Sequence, residues 1–81
     1  MITQWGTIWS NKTSTDYVGG TVTLPISFST RLCYSIVATA MDDGDIIQFK
    51  DLTTSTAPYK IYDRLVGHPA YDHAFWVAIG Y

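Results

Sequence analysis

The sequence predicts an all-β fold, a small antiparallel six-stranded β-sandwich. Apolar runs of strand length alternate with turn-rich clusters at intervals of about 8 to 12 residues, which is the spacing of sandwiches and barrels. No segment sustains a helical period. The chain also closes on Ala74-Phe75-Trp76-Val77-Ala78-Ile79-Gly80-Tyr81, an uncharged aromatic and β-branched run that needs pairing and burial to stay soluble.

The strands are expected over Thr3–Trp9, Gly20–Phe28, Leu32–Met41, Ile46–Leu52, Tyr59–Leu65 and Ala74–Tyr81. In the second, Val22, Leu24, Ile26 and Phe28 share one face and Thr21, Thr23 and Ser27 the other, the alternation of a half-buried strand. Pro25 lies on the polar side and marks an edge or a bulge. The third and sixth strands are apolar on both faces: Leu32, Tyr34, Ile36 and Ala38 oppose Cys33, Val37 and Met41, while Phe75, Val77 and Ile79 oppose Trp76 and Ala78. One face fills the domain's own core, and the other requires a neighbour.

Composition supports that requirement. The 81 residues form one domain, and a chain of this size buries only about 60 to 65 per cent of its unfolded surface. It is 47% hydrophobic and 15% charged, against about 25% charged in an ordinary soluble domain. The single cysteine, Cys33, excludes an internal disulfide, so self-association is the expected reinforcement. A net charge of −2 with five scattered Lys and Arg gives no stripe for a phosphate backbone, so no nucleic-acid partner is expected. No apolar stretch approaches the roughly 20 residues of a membrane span, and Met1-Ile2-Thr3-Gln4 lacks the regions of a signal peptide.

Four segments carry a family resemblance. Gln4-Trp5-Gly6, Val22-Thr23-Leu24-Pro25-Ile26-Ser27-Phe28, Ser35-Ile36-Val37-Ala38-Thr39 and the closing Phe75-Trp76-Val77-Ala78-Ile79-Gly80-Tyr81 occur in that order across nearly the whole chain. In this the sequence resembles the C-terminal tip domain of phage tail fibres, the gp53-like family. The resemblance implies a tip domain that follows a shaft, so the chain is expected to be a piece of a longer fibre protein. It also implies a virion component made in the host cytoplasm. The unsatisfied apolar face then implies a homotrimer, with Trp76, Ala78 and Tyr81 of the last strand as interface candidates.

Candidate sites follow from side-chain chemistry. Asp42-Asp43-Gly44-Asp45 places three carboxylates together but is too short for a calcium loop and lacks its distal acid, so it reads as a hairpin turn. His68 and His73 do not have the spacing of a metal site, and no cofactor or metal is assigned. A glycosidase would need two carboxyl groups in contrasting surroundings, but the seven Asp lie mostly in turns and no nucleophile elbow is present. No enzymatic activity is expected.

The aromatics are the remaining signal. Trp5, Phe28, Phe49, Phe75 and Trp76 stand in apolar strand context and read as core. Trp9, Tyr17, Tyr59, Tyr62 and Tyr71 lie at strand ends or in loops, mixed with charged residues in a way that suits sugar recognition. The receptor-binding candidates are Tyr59, Tyr62, Arg64, His68, Tyr71, Asp72 and His73, centred on a loop from Val66 to His73. The expected role is attachment to a bacterial surface glycan such as lipopolysaccharide, or to an outer-membrane protein. Two alternatives stay open. One is a structural trimerisation or fibre-capping domain that docks an assembly chaperone, and the other is a carbohydrate module like an H-type lectin.

Overall fold

In the computed structural model, which describes residues 1–30 and 34–81, the chain folds into β1 (Ile2–Ser14), β2 (Val18–Thr23), β3 (Tyr34–Ala40), β4 (Asp45–Phe49), β5 (Thr56–Asp63) and β6 (Ala70–Gly80). All pairings are antiparallel. They form two three-stranded sheets in the orders β1-β6-β3 and β2-β5-β4, with no helix among the described residues. The all-β, six-stranded expectation therefore holds, and β6 and β5 are the central strands.

β6 alternates without a break. Ala70, Asp72, Ala74, Trp76, Ala78 and Gly80 face inward, while Tyr71, His73, Phe75, Val77 and Ile79 face outward. Three of the inward residues are fully buried alanines, whose small side chains let the two sheets approach closely and leave the space between them to a few large groups. Those groups include Trp76, Ile61, Phe28 and Tyr34, with the last two stacked at a centroid distance of 4.4 Å. Burial raises the Tyr34 phenol above its ordinary range, and its hydroxyl donates to the Thr53 carbonyl at 2.6 Å.

This phase corrects two expectations. Trp76 and Ala78 are 5% and 0% exposed and belong to the domain's own core, so of the three interface candidates only Tyr81 is exposed. Trp5 and Phe75, read as core, lie on the outer face instead. Because side chains alternate with period two, choosing the wrong phase exchanges the two faces of a strand completely. Phe28 and Trp76 are buried as expected, and Phe49 is half-buried.

Several boundaries also differ. β1 runs on to Ser14 because β6 begins at Ala70, four residues earlier than expected, and offers Tyr71 and Ala70 as partners to Thr13 and Ser14. A bulge between Trp9 and Thr13 absorbs the intervening residues. β2 is an edge strand whose sheet pairing ends at Thr23, just before Leu24-Pro25. Leu24 and Phe28 still turn inward, held by N–H bonds to Ser55 and Thr54, whereas Ile26 is exposed. Pro58, expected in a turn, lies within central β5. Its carbonyl accepts from Lys50 beyond the last β4 pair, Phe49 with Tyr59, so the missing Pro58 N–H falls where the ladder has already ended. Leu32 and Cys33, assigned to the third strand, lie outside the described residues.

The Asp42–Asp45 segment is not a hairpin turn, because β3 and β4 belong to different sheets. It is a corner between the layers, closed by an Asp45 N–H bond to the Asp42 carbonyl, with Gly44 at φ +80°.

One buried polar side chain ties the irregular segment after β2 to the first sheet. The Gln4 amide donates to the Ile26 carbonyl at 2.6 Å and accepts from the Ile26 N–H at 2.8 Å, matching the pair of bonds that a neighbouring strand would supply. Replacing Gln4 by Leu leaves both Ile26 groups without this partner. It should lower stability by about 1–3 kcal/mol, read from chemical denaturation; an unchanged midpoint would show that the clamp contributes nothing.

Candidate functional site

Trp9 and His73 are register partners on the outer face of the first sheet, and Tyr71 lies two residues along the same face of β6. Alternation therefore brings the three rings together. His73 stacks on Trp9 at a centroid distance of 3.8 Å and 13° between planes, and on Tyr71 at 5.8 Å and 15°. Trp9 remains 66% exposed, so the ring that covers His73 still presents a large open surface.

The His73 ring is fixed at both nitrogens. Nδ1 lies 2.7 Å from a carboxylate oxygen of Asp42, and Nε2 lies 3.2 Å from the Ser10 carbonyl. Carboxylate and carbonyl oxygens only accept, so both bonds form together only when the ring carries both protons. The ring so held lies flat on the face of Trp9. The corner that carries Asp42 is also tied to β6 by the Met41 N–H bond to the His73 carbonyl and by the Tyr71 N–H bond to Asp45.

Asp72, one residue before His73, points the opposite way and is 2% exposed. Its two carboxylate oxygens accept from the Ser10 and Tyr59 hydroxyls, each at 2.7 Å. Burial, and then the hydrogen bond and charge of Asp72, hold the Tyr59 phenol well above its ordinary range, so Tyr59 remains a donor.

The sequence candidates thus divide among several places. Tyr71 and His73 join the ring stack. Tyr59 and Asp72 form the internal network, with their polar ends turned between the sheets. Tyr62 is half-buried and lines a cleft of about 420 Å³ on the second sheet with Tyr17 and Lys60, whose ammonium lies 4.4 Å from the Tyr17 ring centre. Arg64 and His68 are exposed in the β5–β6 turn, where their backbone N–H groups bond Gly44 and Leu65. The expected Val66–His73 loop is shorter than supposed, since 70–73 are already strand. Among the described residues no group of three or more His, Cys, Asp or Glu side chains is arranged to hold a metal ion.

Trp9, one of the aromatics suited to sugar recognition though not among the seven receptor-binding candidates, belongs in the stack, as do the corner carboxylate of Asp42 and the carbonyl of Ser10, neither of which was a candidate. The Trp5/Trp9 spacing places both indoles on one face of a strand, which is a legible signal. The Asp42 contact spans 31 positions and leaves no local trace.

The family model described as "Putative tail fiber protein gp53-like, C-terminal" matches residues 1–81. The chain belongs to the gp53-like tail-fibre family. No curated protein and no solved structure matches it. The gp53-like C-terminal domain is part of a tail fibre, which makes it a virion-associated component, and the aromatic stack is a feature of its exposed surface.

The corner carries one poorly accommodated charge. One oxygen of Asp45 accepts from Tyr71, while the other is buried with no partner among the described residues. Burial raises the Asp45 carboxyl above its ordinary value of 3.8; the Tyr71 bond opposes the shift, and the charges of Asp42 and Asp63 add to it. A raised folded value means that the favourable contribution is complete below the unfolded value and is lost as pH rises through the folded one. Asp45→Asn removes that loss. Its melting temperature should exceed that of the unaltered protein at pH 7, with the advantage shrinking toward pH 3.5; equal destabilisation at both pH values would contradict the assignment.

Proposed function

We propose that this gp53-like domain is the receptor-binding tip of a phage or prophage tail fibre, attaching to a bacterial surface glycan such as lipopolysaccharide. The observation that carries this reading is the exposed Trp9–His73–Tyr71 stack on a chain that belongs throughout to a tail-fibre family. An open indole face suits the C–H face of a pyranose, and the charged and hydroxyl groups beside it suit its hydroxyls. An outer-membrane protein is the less favoured receptor, because a narrow ring stack fits a sugar better than a broad protein surface. The role is adhesion rather than catalysis, with no nucleic-acid partner and no membrane insertion, for a virion protein made in the host cytoplasm.

The domain acts as a homotrimer. Trp5, Val77 and Val37 form one row across the first sheet, with Phe75 and Ile79 on either side along β6. This outward face is apolar and its flanking residues are Thr and Ser, so covering it removes apolar area without stranding a charge. The same face favours a second reading, in which the domain closes the fibre or docks an assembly chaperone and recognition lies elsewhere. Adsorption separates the two.

Replacing Trp9 and Tyr71 together by Ala should reduce binding to host cells at least tenfold while leaving the trimer intact; unchanged binding would move recognition away from the stack. Light scattering should give the mass of three chains, and Val37→Asp, which places a charge in the apolar row, should release folded monomers. A monomer of the unaltered protein at micromolar concentration would end the trimer reading.

A further inference from the structure

The flank between edge strands β1 and β2 is open. A cleft of about 390 Å³ enters there, lined by residues that include Ser10, Thr21, Thr23, Tyr59, Asp72 and Trp76, and its volume lies within the roughly 300–1,000 Å³ of small-molecule sites. Two glycines shape it. A Cβ on Gly6 would stand 2.9 Å from Nε1 of Trp76, and one on Gly20 would stand 2.8 Å from the Tyr59 hydroxyl. Where the edge strands would ordinarily place side chains, the polar ends of two residues from the central strands come forward instead.

The functional groups gathered there are unusual for a core. The Asp72 carboxylate is almost fully buried, and each of its oxygens uses one acceptor position on Ser10 or Tyr59, leaving further lone pairs. The Trp76 indole N–H, which lines the cleft, has no acceptor among the described residues. Hydroxyls of Ser10, Thr21, Thr23 and Tyr59 can donate or accept, and Trp9 stands at the lip with its exposed ring. A buried carboxylate with no cation against it among the described residues disfavours phosphate and carboxylate ligands and favours neutral donors.

We propose that the β1–β2 cleft is a saccharide subsite for one neutral pyranose residue, two neighbouring hydroxyls donating to Asp72 while a sugar oxygen accepts from the Trp76 indole N–H. Trp9 joins the cleft to the exposed ring stack, so a glycan chain passes from one to the other. This subsite rests on the reading of the domain as a glycan-binding tip.

The test is a titration of the protein with neutral O-antigen and core oligosaccharides, and with uronic-acid and phosphorylated counterparts, followed by the indole N–H signals of Trp5, Trp9 and Trp76. Neutral sugars should shift Trp76 and Trp9 together to saturation, with Trp5 on the far part of the sheet as the unmoved reference. Asp72→Asn should weaken binding about tenfold or more, the loss expected for a charged acceptor. Thr21→Arg, at the exposed lip, should do the same by closing the cleft and serves as the readout if Asp72→Asn does not fold. Saturable binding that moves Trp9 but leaves Trp76 still, or that survives Thr21→Arg, would overturn the subsite and leave the glycan reading standing. Preference for the anionic sugars would overturn the subsite as stated, and absence of binding to every glycan would overturn both.

Discussion

The inward alanines of β6 are the constraint on which the other features depend. Ala70, Ala74 and Ala78 are fully buried on the inward face of β6, so at these positions the strand adds little bulk between the two sheets. Close approach lets the Tyr59 hydroxyl, carried on the facing sheet, reach Asp72. It also fixes the phase of the strand, which turns Tyr71, His73, Phe75, Val77 and Ile79 outward together. The aromatic stack and the apolar row are thus consequences of how the interior is filled. A bulky residue at Ala74 or Ala78 would push the sheets apart and disturb the surface pattern from within.

The fold class and the six strands were legible because the apolar runs and turn clusters have strand spacing. The faces of β6 were not. Both faces carry an aromatic residue, so hydrophobicity gives no phase, and the better guide was the run of small residues: three alanines lie on the inward face with Trp76 as its one large apolar group, while the branched residues Val77 and Ile79 lie outside. A similar ambiguity hid the start of β6. Tyr71, Asp72 and His73 include polar and titratable residues that read as loop, yet Asp72 is an inward strand residue compensated by two hydroxyls from distant segments. Sequence pattern identifies a buried carboxylate poorly because its partners lie 62 and 13 positions away. The ring stack was half visible, since Tyr71 and His73 stood among the candidates while their partner Trp9 depended on the cross-strand register.

The outer face of the first sheet meets two opposing demands along one strand. Around Trp5, Val37, Val77 and Ile79 it is apolar and gains from being covered. Around Trp9, Tyr71 and His73 it carries a histidine–carboxylate contact and a ring fixed at both nitrogens, and gains from remaining wet. Regular pairing of β1 with β6 runs unbroken from the apolar row to the Trp9–His73 pair and is interrupted by the bulge only between that pair and Tyr71.

A stack of one indole, one phenol and one imidazole offers a sugar only a small contact area, and such a site binds weakly on its own. In the proposed trimer each fibre carries three copies, and repeated engagement at high effective concentration can raise overall avidity by about 10²–10⁴ without any new contact. The gain holds only if the three sites point the same way and keep their spacing. Rigid placement is what the corner supplies: Asp42 fixes the His73 ring, Met41 holds the His73 carbonyl, and Asp45 takes the Tyr71 N–H despite the burial of its own charge. The buried oxygen of Asp45, without a partner among the described residues, is thus a local cost borne at the point where the corner meets the strand of the proposed site, where a looser junction would let the rings wander and reduce the benefit that the proposed trimer would bring.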